Sequence, residues 1–331
     1  MTLWLHGIGH FHPENEITNQ FLEDLDIGTS DAWIVERVGI RSRRTALDLD
    51  YIRETRNRDL RAAVDANTCP NEVMGGNAAE MALERAGLTA DAIGMVFCGS
   101  SAPDFLSPAD ACTIAHRLQI DVPCWDVNSA CTSFLAQIRM LSMMDPDRLP
   151  TYVLVVAPDS LTKTVDYSDR AASVLWGDAA AAAVLSSKVP GRAQILGASL
   201  NSRPTAFKKV VVPRERHFSQ EGRTVQAFAI RETGKEYARI HEQFSDENRP
   251  LHFIGHQANL RMLENVCKRC DIPPERHHMN VEWFGNTGAA SSASVLSQNW
   301  EKWESRDDIA VIGVGAGLTW ASYMLRFGEE E

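Results

Sequence analysis

The chain of 331 residues is 44% hydrophobic and 23% charged, a composition that supports a large buried core and excludes an intrinsically disordered protein. Its 33 lysines and arginines against 44 aspartates and glutamates give a net charge of −11, which disfavours general binding to nucleic acid or anionic membranes. No secretory leader pattern and no run of about 18 apolar residues is present, so we expect a cytoplasmic protein without a membrane span.

Apolar segments typical of strands recur along the chain and alternate with helical segments. In chain order, the strand candidates are "LWLHGI", "MVFCGS", "VPCWDV", "YVLVVA", "AAAAAVL", "LHFIG", "IAVIGV" and "ASYMLRF". Residues 47–71 and 201–223 are polar and typical of loops, although "YIRETRNRDLRAAV" could contain a short helix. Because the strands are apolar almost throughout, we expect a sheet covered on both faces.

Two regions of the chain follow the same order of elements. Both "AAEMALERAGLTADAIGMVFCGS" and "TGKEYARIHEQFSDENRPLHFIGHQ" are typical of a helix followed by a strand and a loop. The sequence therefore indicates a weak internal duplication whose join lies near Pro190. We expect an N-terminal half, residues 1–187, that carries a nucleophile, and a C-terminal half, residues 188–331.

Cys131 lies where the strand "CWDV" gives way to a helix that begins with small residues. The unpaired N–H groups and partial positive charge of a helix N-terminus favour thiolate over thiol, so this position predicts a lowered cysteine pKa. A buried cysteine with a packing role would fit the same stretch. The seven cysteines are an odd number, and we expect them to be reduced.

Two other polar residues stand at similar junctions. His256 follows the strand "LHFIG", and Asn286 precedes a helix of small residues, "GAASSAS". Each alone is more often a helix cap or a buried polar group than a catalyst. Together with Cys131 they supply a nucleophile, a proton or hydrogen-bond partner and an orienting amide, which acyl transfer through a thioester needs.

The chain resembles β-ketoacyl-acyl-carrier-protein synthase III, a family of condensing enzymes in the thiolase-like superfamily. The motifs that carry the resemblance, in the family's order, are "TSDAWIVERVGIRSRR", "DVNSACTSF", "SDRAASVLWGDAAAAAVL", "HQANLR", "GNTGAAS" and "GVGAGLTW". The resemblance implies an α/β fold, a thiolase-like five-layered αβαβα sandwich of two pseudo-duplicated halves. It also implies a homodimer that uses acyl-coenzyme A as substrate and binds no cofactor.

The resemblance assigns the parts of a condensing mechanism. Cys131 matches the nucleophile that accepts an acyl group from coenzyme A or a carrier protein. His256 and Asn286 match the pair that binds the thioester carbonyl of a malonyl- or β-ketoacyl-type extender while its carbanion forms. The backbone N–H groups of Cys131 and Ala316 match the oxyanion hole, with alanine at Ala316 where glycine is usual. Such enzymes serve fatty acid or secondary-metabolite biosynthesis.

The resemblance also assigns residues that bind coenzyme A. In the family an aromatic residue and an arginine sandwich the adenine of coenzyme A, and Trp33 and Arg170 match them. Arg37 and Asn259 match positions along the pantetheine and phosphate path.

A basic helix face is a candidate for docking the acidic carrier protein. Arg261, Lys268 and Arg269 lie on one side of the helix that follows "HQAN". A solvated charged face is the commoner meaning of such a stripe. In the family, the arginine of "HQANLR" helps to dock the carrier protein.

The acyl pocket is expected to be roomy. An alignment through "PADAC" places Ser107, with Phe105 and Leu106 beside it, where short-chain enzymes carry a bulky residue that reaches across the dimer interface. Each buried methylene contributes about 0.8 kcal/mol, so donors of about eight or more carbons should react faster than acetyl. The segment "DYIRETRNRDLRAAV" is an insertion relative to common priming enzymes and could alter substrate choice.

Several other functions fit the sequence less well. The glycines of "GVGAG" lead into a strand, whereas a dinucleotide site requires a helix there. A zinc site at Cys267 and Cys270 would need a second pair of cysteine or histidine ligands at the right spacing, and the sequence has none. A papain-like hydrolase shares the Cys, His, Asn order but gives no reason for "GNTGAAS". An ester-forming acyltransferase on the same scaffold and a non-catalytic partner subunit of a condensing heterodimer remain alternatives.

Overall fold

Residues 2–328 are described by this computed structural model, and thirteen strands and twelve α-helices lie within them. The strands are β1 (Leu3–Phe11), β2 (Asn15–Thr18), β3 (Ser42–Thr45), β4 (Ile93–Cys98), β5 (Cys124–Asp126), β6 (Tyr152–Asp159), β7 (Ala179–Ser186), β8 (Ala193–Ser202), β9 (Val210–Val211), β10 (Ser219–Gln220), β11 (Leu251–Gly255), β12 (Asp308–Gly315) and β13 (Thr319–Phe327). The helices are α1 (Asn19–Asp24), α2 (Asp31–Arg37), α3 (Leu49–Thr55), α4 (Ala62–Asp65), α5 (Asn71–Ala86), α6 (Asp110–Arg117), α7 (Ser133–Leu141), α8 (Arg170–Ser173), α9 (Gly222–Phe244), α10 (Leu260–Arg269), α11 (Val281–Phe284) and α12 (Ser291–Gln298).

The sheet repeats one strand order in the two halves of the chain. The first half has the order β5-β4-β6-β7-β1, and the second has β11-β12-β13-β8. The central pairs β4/β6 and β11/β12 are parallel, and the pairs that follow them are antiparallel. An isolated parallel bridge between Phe253 and His277 occupies the place that β5 has in the first half. The expected duplication is therefore present, and a division after residue 187 falls between β7 and β8.

The two half-sheets enclose a middle layer of helices. They join where β1 pairs with β8, a contact that runs from Leu3↔Ile195 to Leu5↔Ala193. Helices α7 and α12 contribute to the central core between the half-sheets, whereas α5 and α6 cover one outer face and α9 and α10 the other. This arrangement is the expected αβαβα sandwich.

Strand β7 shows why apolar and polar residues do not alternate along these strands. Ala181 and Ala183 face the central core, and Ala180 and Ala182 face the outer core under α5. Successive side chains of a strand point to opposite faces, so a strand between two helical layers is apolar at every position.

The insertion is folded against the first half. Its two short helices, α3 and α4, pack on α1 through a core that includes Ile52 and Ala63. The fully buried Asn57 anchors the segment, because its Nδ2 donates to the carbonyls of Lys163 and Val165 at 3.0 and 2.8 Å. The expected loop at 47–71 therefore contains more helix than predicted.

Candidate active site

A cavity of about 290 Å³ brings together half of the predicted site residues, including Cys131, His256 and Asn286. Its walls come from both halves of the chain. The predicted residues that line it are Trp33, Arg37, Cys131, His256, Asn259, Asn286 and Ala316. Apolar side chains such as Val174, Phe228 and Leu318 form much of the remaining wall, which suits an acyl chain.

Cys131 lies in a 3-10 turn, Ala130–Thr132, directly before α7. A chain of hydrogen bonds holds the loop between β12 and β13 over this turn: the hydroxyls of Thr132 and Thr319 are 2.9 Å apart, and Thr319 donates to the Ala316 carbonyl at 3.0 Å. Hydrogen bonding by the backbone N–H groups of Cys131 and Ala316 acts to lower the pKa of the Cys131 thiol. Both residues line the cavity, so the two predicted oxyanion-hole residues border the same space.

The expectation of a lowered Cys131 pKa is wrong. Burial raises the pKa of this thiol to about 12, and the charge of Asp159 acts in the same direction. Hydrogen bonds from Ser101 and from the two backbone N–H groups lower it by less than burial raises it. The position at the start of α7 could be predicted from sequence, but the buried carboxylate beside it could not.

His256 is held as a neutral imidazole. It is 5% exposed directly after β11, and burial lowers its pKa to about 4. Its Nδ1 lies 2.8 Å from the hydroxyl of Ser291, the first residue of α12. When Ser291 donates this bond, the ring proton is on Nε2, where it can be donated to a substrate carbonyl.

Asn286 is fixed by its own backbone and by the turn that follows. Its N–H donates to the Leu175 carbonyl at 2.8 Å, and its carbonyl accepts from Gly177 at 3.0 Å. The side-chain Oδ1 accepts from the N–H of Gly288 at 3.1 Å, which leaves the Nδ2 hydrogens for a ligand. Gly288 has a φ of +55°, and a Cβ there would collide with the carboxylate of Asp159.

Asp159, which the sequence did not indicate, connects the two halves beneath the cavity. This fully buried residue ends β6. Its Oδ1 accepts from Ser100 Oγ at 2.9 Å and from the N–H of Ser101 at 2.7 Å. Its Oδ2 accepts from Ser101 Oγ at 3.0 Å and from the N–H of Ala289 at 2.7 Å. The only signal in the sequence is an acidic residue closing the apolar run "YVLVVAPD".

The rim of the cavity carries a preformed aromatic and arginine pair. The Arg170 guanidinium lies 4.5 Å from the ring centroid of Trp33, and it also donates to the Gly28 carbonyl at 2.6 Å. Asn259 caps α10, because its Oδ1 accepts from the N–H of Met262 at 2.8 Å. Arg37 is exposed at the end of α2.

Two predicted groups lie away from the cavity in the described part of the chain. Arg261 donates to the Val35 and Glu36 carbonyls at 2.9 and 3.1 Å, so its guanidinium ties α10 to α2, whereas Lys268 and Arg269 are exposed. The acyl-pocket candidates Phe105, Leu106 and Ser107 are exposed on the surface.

Residues 2–328 contain no group of three or more His, Cys, Asp or Glu side chains placed to hold a metal ion. Over the same range, no helix is both long and apolar enough to cross a membrane.

Comparison with known proteins identifies the family of the chain. The family description "3-Oxoacyl-[acyl-carrier-protein (ACP)] synthase III" matches residues 125–204, and that of its C-terminal part matches residues 249–327. The β-ketoacyl-[acyl-carrier-protein] synthase III of Geobacillus kaustophilus is 33% identical over 326 residues, which are 97% of this chain and 98% of that protein.

Solved structures resemble the chain over its full length. The crystal structure of 3-oxoacyl-[acyl-carrier-protein] synthase III from Aquifex aeolicus VF5 has a TM-score of 0.86 at 26% identity, over 98% of this chain and 100% of that one. The priming β-ketosynthase of the R1128 polyketide biosynthetic pathway has a TM-score of 0.83 at 27% identity, over 99% and 97%. The chain belongs to the β-ketoacyl-acyl-carrier-protein synthase III family of condensing acyltransferases.

Proposed function

We propose that this enzyme accepts an acyl group from coenzyme A on Cys131 and then joins it to a malonyl-type thioester by decarboxylative Claisen condensation. The observation that carries the proposal is that Cys131, His256 and Asn286, from three separate turns, line one cavity. Most of the remaining wall is apolar and could hold an acyl chain.

In the condensing step, the second half of the chain supplies hydrogen-bond donors. Nε2–H of a neutral His256 and the amide of Asn286 bind the extender's thioester oxygen, on which charge develops as carbon dioxide leaves. The resulting carbanion attacks the acyl-Cys131 carbonyl. The backbone N–H groups of Cys131 and Ala316 then hold the tetrahedral oxyanion.

Coenzyme A would enter past Trp33 and Arg170. A guanidinium that already stacks on the indole at 4.5 Å can open to admit an adenine between the two groups. Arg37 and Asn259 line the same cavity and would contact the phosphate and pantetheine portions.

The exposed ends of α9 and α10 are the proposed docking surface for an acyl carrier protein. Arg269 lines a surface depression with Arg223 and Arg231, and Lys268 is exposed beside it. An acidic carrier protein would be attracted to this local positive surface on a chain whose net charge is −11. Arg261 is partly exposed and could add to it despite its internal hydrogen bonds.

A homodimer would place the acyl-pocket candidates of one copy near the cavity of the other. Among the described residues, β5 is an edge strand of the large sheet and carries the exposed side chain of Trp125. Phe105 and Leu106 are also exposed and lie in the loop before α6, whose first residues donate backbone hydrogen bonds to Asp126 of β5. We propose that two copies pair along this edge in the cytoplasm. The measurement is the mass in solution, expected to be twice the chain mass of 36.7 kDa.

The function is tested by intact-mass measurement after incubation with acyl-coenzyme A donors of increasing chain length. We expect one acyl increment on Cys131, formed faster with donors of about eight or more carbons than with acetyl. Adding a malonyl thioester should then release a β-ketoacyl product and return the free enzyme. A preference for acetyl would overturn the chain-length proposal alone, and ester products with hydroxyl acceptors would favour the ester-forming alternative.

A further inference from the structure

We propose that Ser291 is a positioning residue for the condensing step, because its hydroxyl donates to His256 Nδ1 and thereby keeps the ring proton on Nε2. This inference rests on the proposed function, in which Nε2–H binds the thioester oxygen of the extender. It adds a residue outside the Cys, His, Asn set to the decarboxylation half of the reaction.

The contact joins two buried residues from separate elements. His256 follows β11, Ser291 begins α12, and Ser291 Oγ lies 2.8 Å from His256 Nδ1. Within residues 2–328, this is the only hydrogen bond of the Ser291 hydroxyl. His256 Nε2 makes no hydrogen bond in the same range and is not sealed off, so it is free for a ligand in the cavity that His256 lines.

The direction of this hydrogen bond follows from the donors and acceptors of each group. A neutral imidazole has one donor nitrogen and one acceptor nitrogen, whereas a hydroxyl can donate and accept. If Nδ1 donated to Ser291, the serine proton would be buried without an acceptor, which is costly for a polar group. Burial also lowers the pKa of His256 to about 4, so the ring does not carry both protons at neutral pH. Ser291 is therefore the donor, and Nε2 keeps the proton.

The backbone around His256 leaves the state of the ring to Ser291. The buried side chain of Gln257 donates to the Gly255 carbonyl at 2.7 Å and accepts from the N–H of Asn280 at 3.0 Å. These bonds hold the chain on both sides of His256, but they do not involve the imidazole. The Ser291 hydroxyl is the group that sets which ring nitrogen carries the proton.

The run "GAAS", residues 288–291, orients both proposed donors in the same way. The Gly288 N–H donates to Asn286 Oδ1 at 3.1 Å, and the Ser291 hydroxyl donates to His256 Nδ1. In each case a donor from this run occupies the accepting atom of the side chain. The donating atom, Nδ2 of Asn286 or Nε2 of His256, is left for the extender.

Removal of the hydroxyl should slow decarboxylation and spare acylation. In Ser291→Ala, release of carbon dioxide from a malonyl thioester on the acylated enzyme should fall about tenfold, the population change that one hydrogen bond sustains. The acyl increment on Cys131 should form at the wild-type rate. Wild-type decarboxylation in this variant, or an equal loss of acylation, would overturn the proposal.

Ser294→Ala is the matched control from the same helix. Its buried hydroxyl, one turn later in α12, donates to the Ser291 carbonyl and accepts from Asn280 Nδ2. It does not bond the imidazole, so this variant should keep both rates near those of the wild type.

A double-mutant comparison separates a tautomer effect from a structural one. His256→Gln places an amide N–H near the position of Nε2 and has no tautomer to set. In the His256→Gln background, Ser291→Ala should therefore change decarboxylation little. The same loss in both backgrounds would show that Ser291 only supports the structure, which would overturn the proposal.

Nitrogen NMR of enzyme labelled in its histidines reports the tautomer, because protonated and unprotonated ring nitrogens have different chemical shifts. The His256 signals are those absent from His256→Gln. The wild type should show an unprotonated Nδ1 and a protonated Nε2, and Ser291→Ala should show a mixture of tautomers. A protonated Nδ1 in the wild type would overturn the proposal. If the acylated wild type releases no carbon dioxide, the proposed function fails instead, and the NMR result does not depend on that assay.

Discussion

The two halves of the molecule place different chemistry at equivalent turns. The turn after β4 carries Ser100 and Ser101, whereas the turn after β11, which has the same place in the strand order, carries His256. In the proposed mechanism, the first half holds the nucleophile and the second half holds the donors for a thioester oxygen. One backbone plan would then serve acylation on one side of the cavity and decarboxylation on the other.

The equivalence extends to the backbone of the turns that precede the middle helices. Residues Ala130–Thr132 form a 3-10 turn before α7, and residues Gly288–Ala290 form one before α12. Each turn begins with a residue at positive φ, Ala130 at +49° and Gly288 at +55°. Cys131 therefore corresponds to Ala289, so the nucleophile of one half matches a residue of the other half that only donates its N–H to Asp159.

Removal of the proposed nucleophile gives the largest expected effect, and it should abolish acylation while leaving some decarboxylation. Cys131→Ala should abolish the acyl mass increment completely, because no other thiol in the described cavity can accept the acyl group. Some decarboxylation of a malonyl thioester should persist, since His256 and Asn286 are intact. Intact-mass and carbon dioxide release assays measure the two activities, and an acyl increment on the variant would contradict the assignment.

Loss of a donor in the second half should have the reverse effect. His256→Ala or Asn286→Ala should keep much of the self-acylation and lower condensation about 10²-fold or more, the usual cost of one oxyanion donor. The double variant should lose less than the product of the single losses if both groups serve one oxygen.

A different pattern of lost activities in the His256 and Asn286 variants would indicate another mechanism. If His256→Ala prevents acylation while Asn286→Ala has no effect, the histidine is a base, and a hydrolase-like or ester-forming mechanism replaces condensation. Product analysis beside single-turnover acylation distinguishes these results.

The sequence predicts where the candidate catalytic side chains lie better than it predicts their protonation. Cys131, His256 and Asn286 could be placed because strand-to-helix turns and runs of small residues are local patterns. The pKa of Cys131 depends on burial and on Asp159, which lies 28 positions along the chain and approaches only through the fold. Arg261 was predicted as part of a docking face for a carrier protein, and its hydrogen bonds to α2 could not be predicted because they come from tertiary packing.

The protonation of His256 should have a smaller effect, which is a loss of folding stability at acidic pH. Its pKa is about 4 in the fold and 6.5 ordinarily, so the unfolded chain binds more protons between these values. The stability that neutral His256 contributes is present above pH 6.5 and is lost as pH falls toward 4. Urea unfolding at pH 7 and pH 5, roughly, should show a smaller loss in His256→Gln than in the wild type.

The decarboxylation rate gives a second readout of the same group. Neutral His256 persists below pH 6.5, so the rate on the acylated enzyme should show no inflection there. An inflection near that pH that disappears in His256→Gln would contradict the neutral-donor assignment.

The smallest expected effect concerns the two equivalent turns. The left-handed conformation of Ala130 costs about 1 kcal/mol. Ala130→Gly should therefore raise the free energy of unfolding by up to about 1 kcal/mol. The greater entropy of glycine in the unfolded chain reduces this gain. The reverse change, Gly288→Ala, adds that strain and a Cβ that collides with Asp159, so it should destabilise by about 2 kcal/mol or more. Urea unfolding compares the two variants. A Gly288→Ala variant as stable as the wild type would mean that Asp159 does not constrain the second turn.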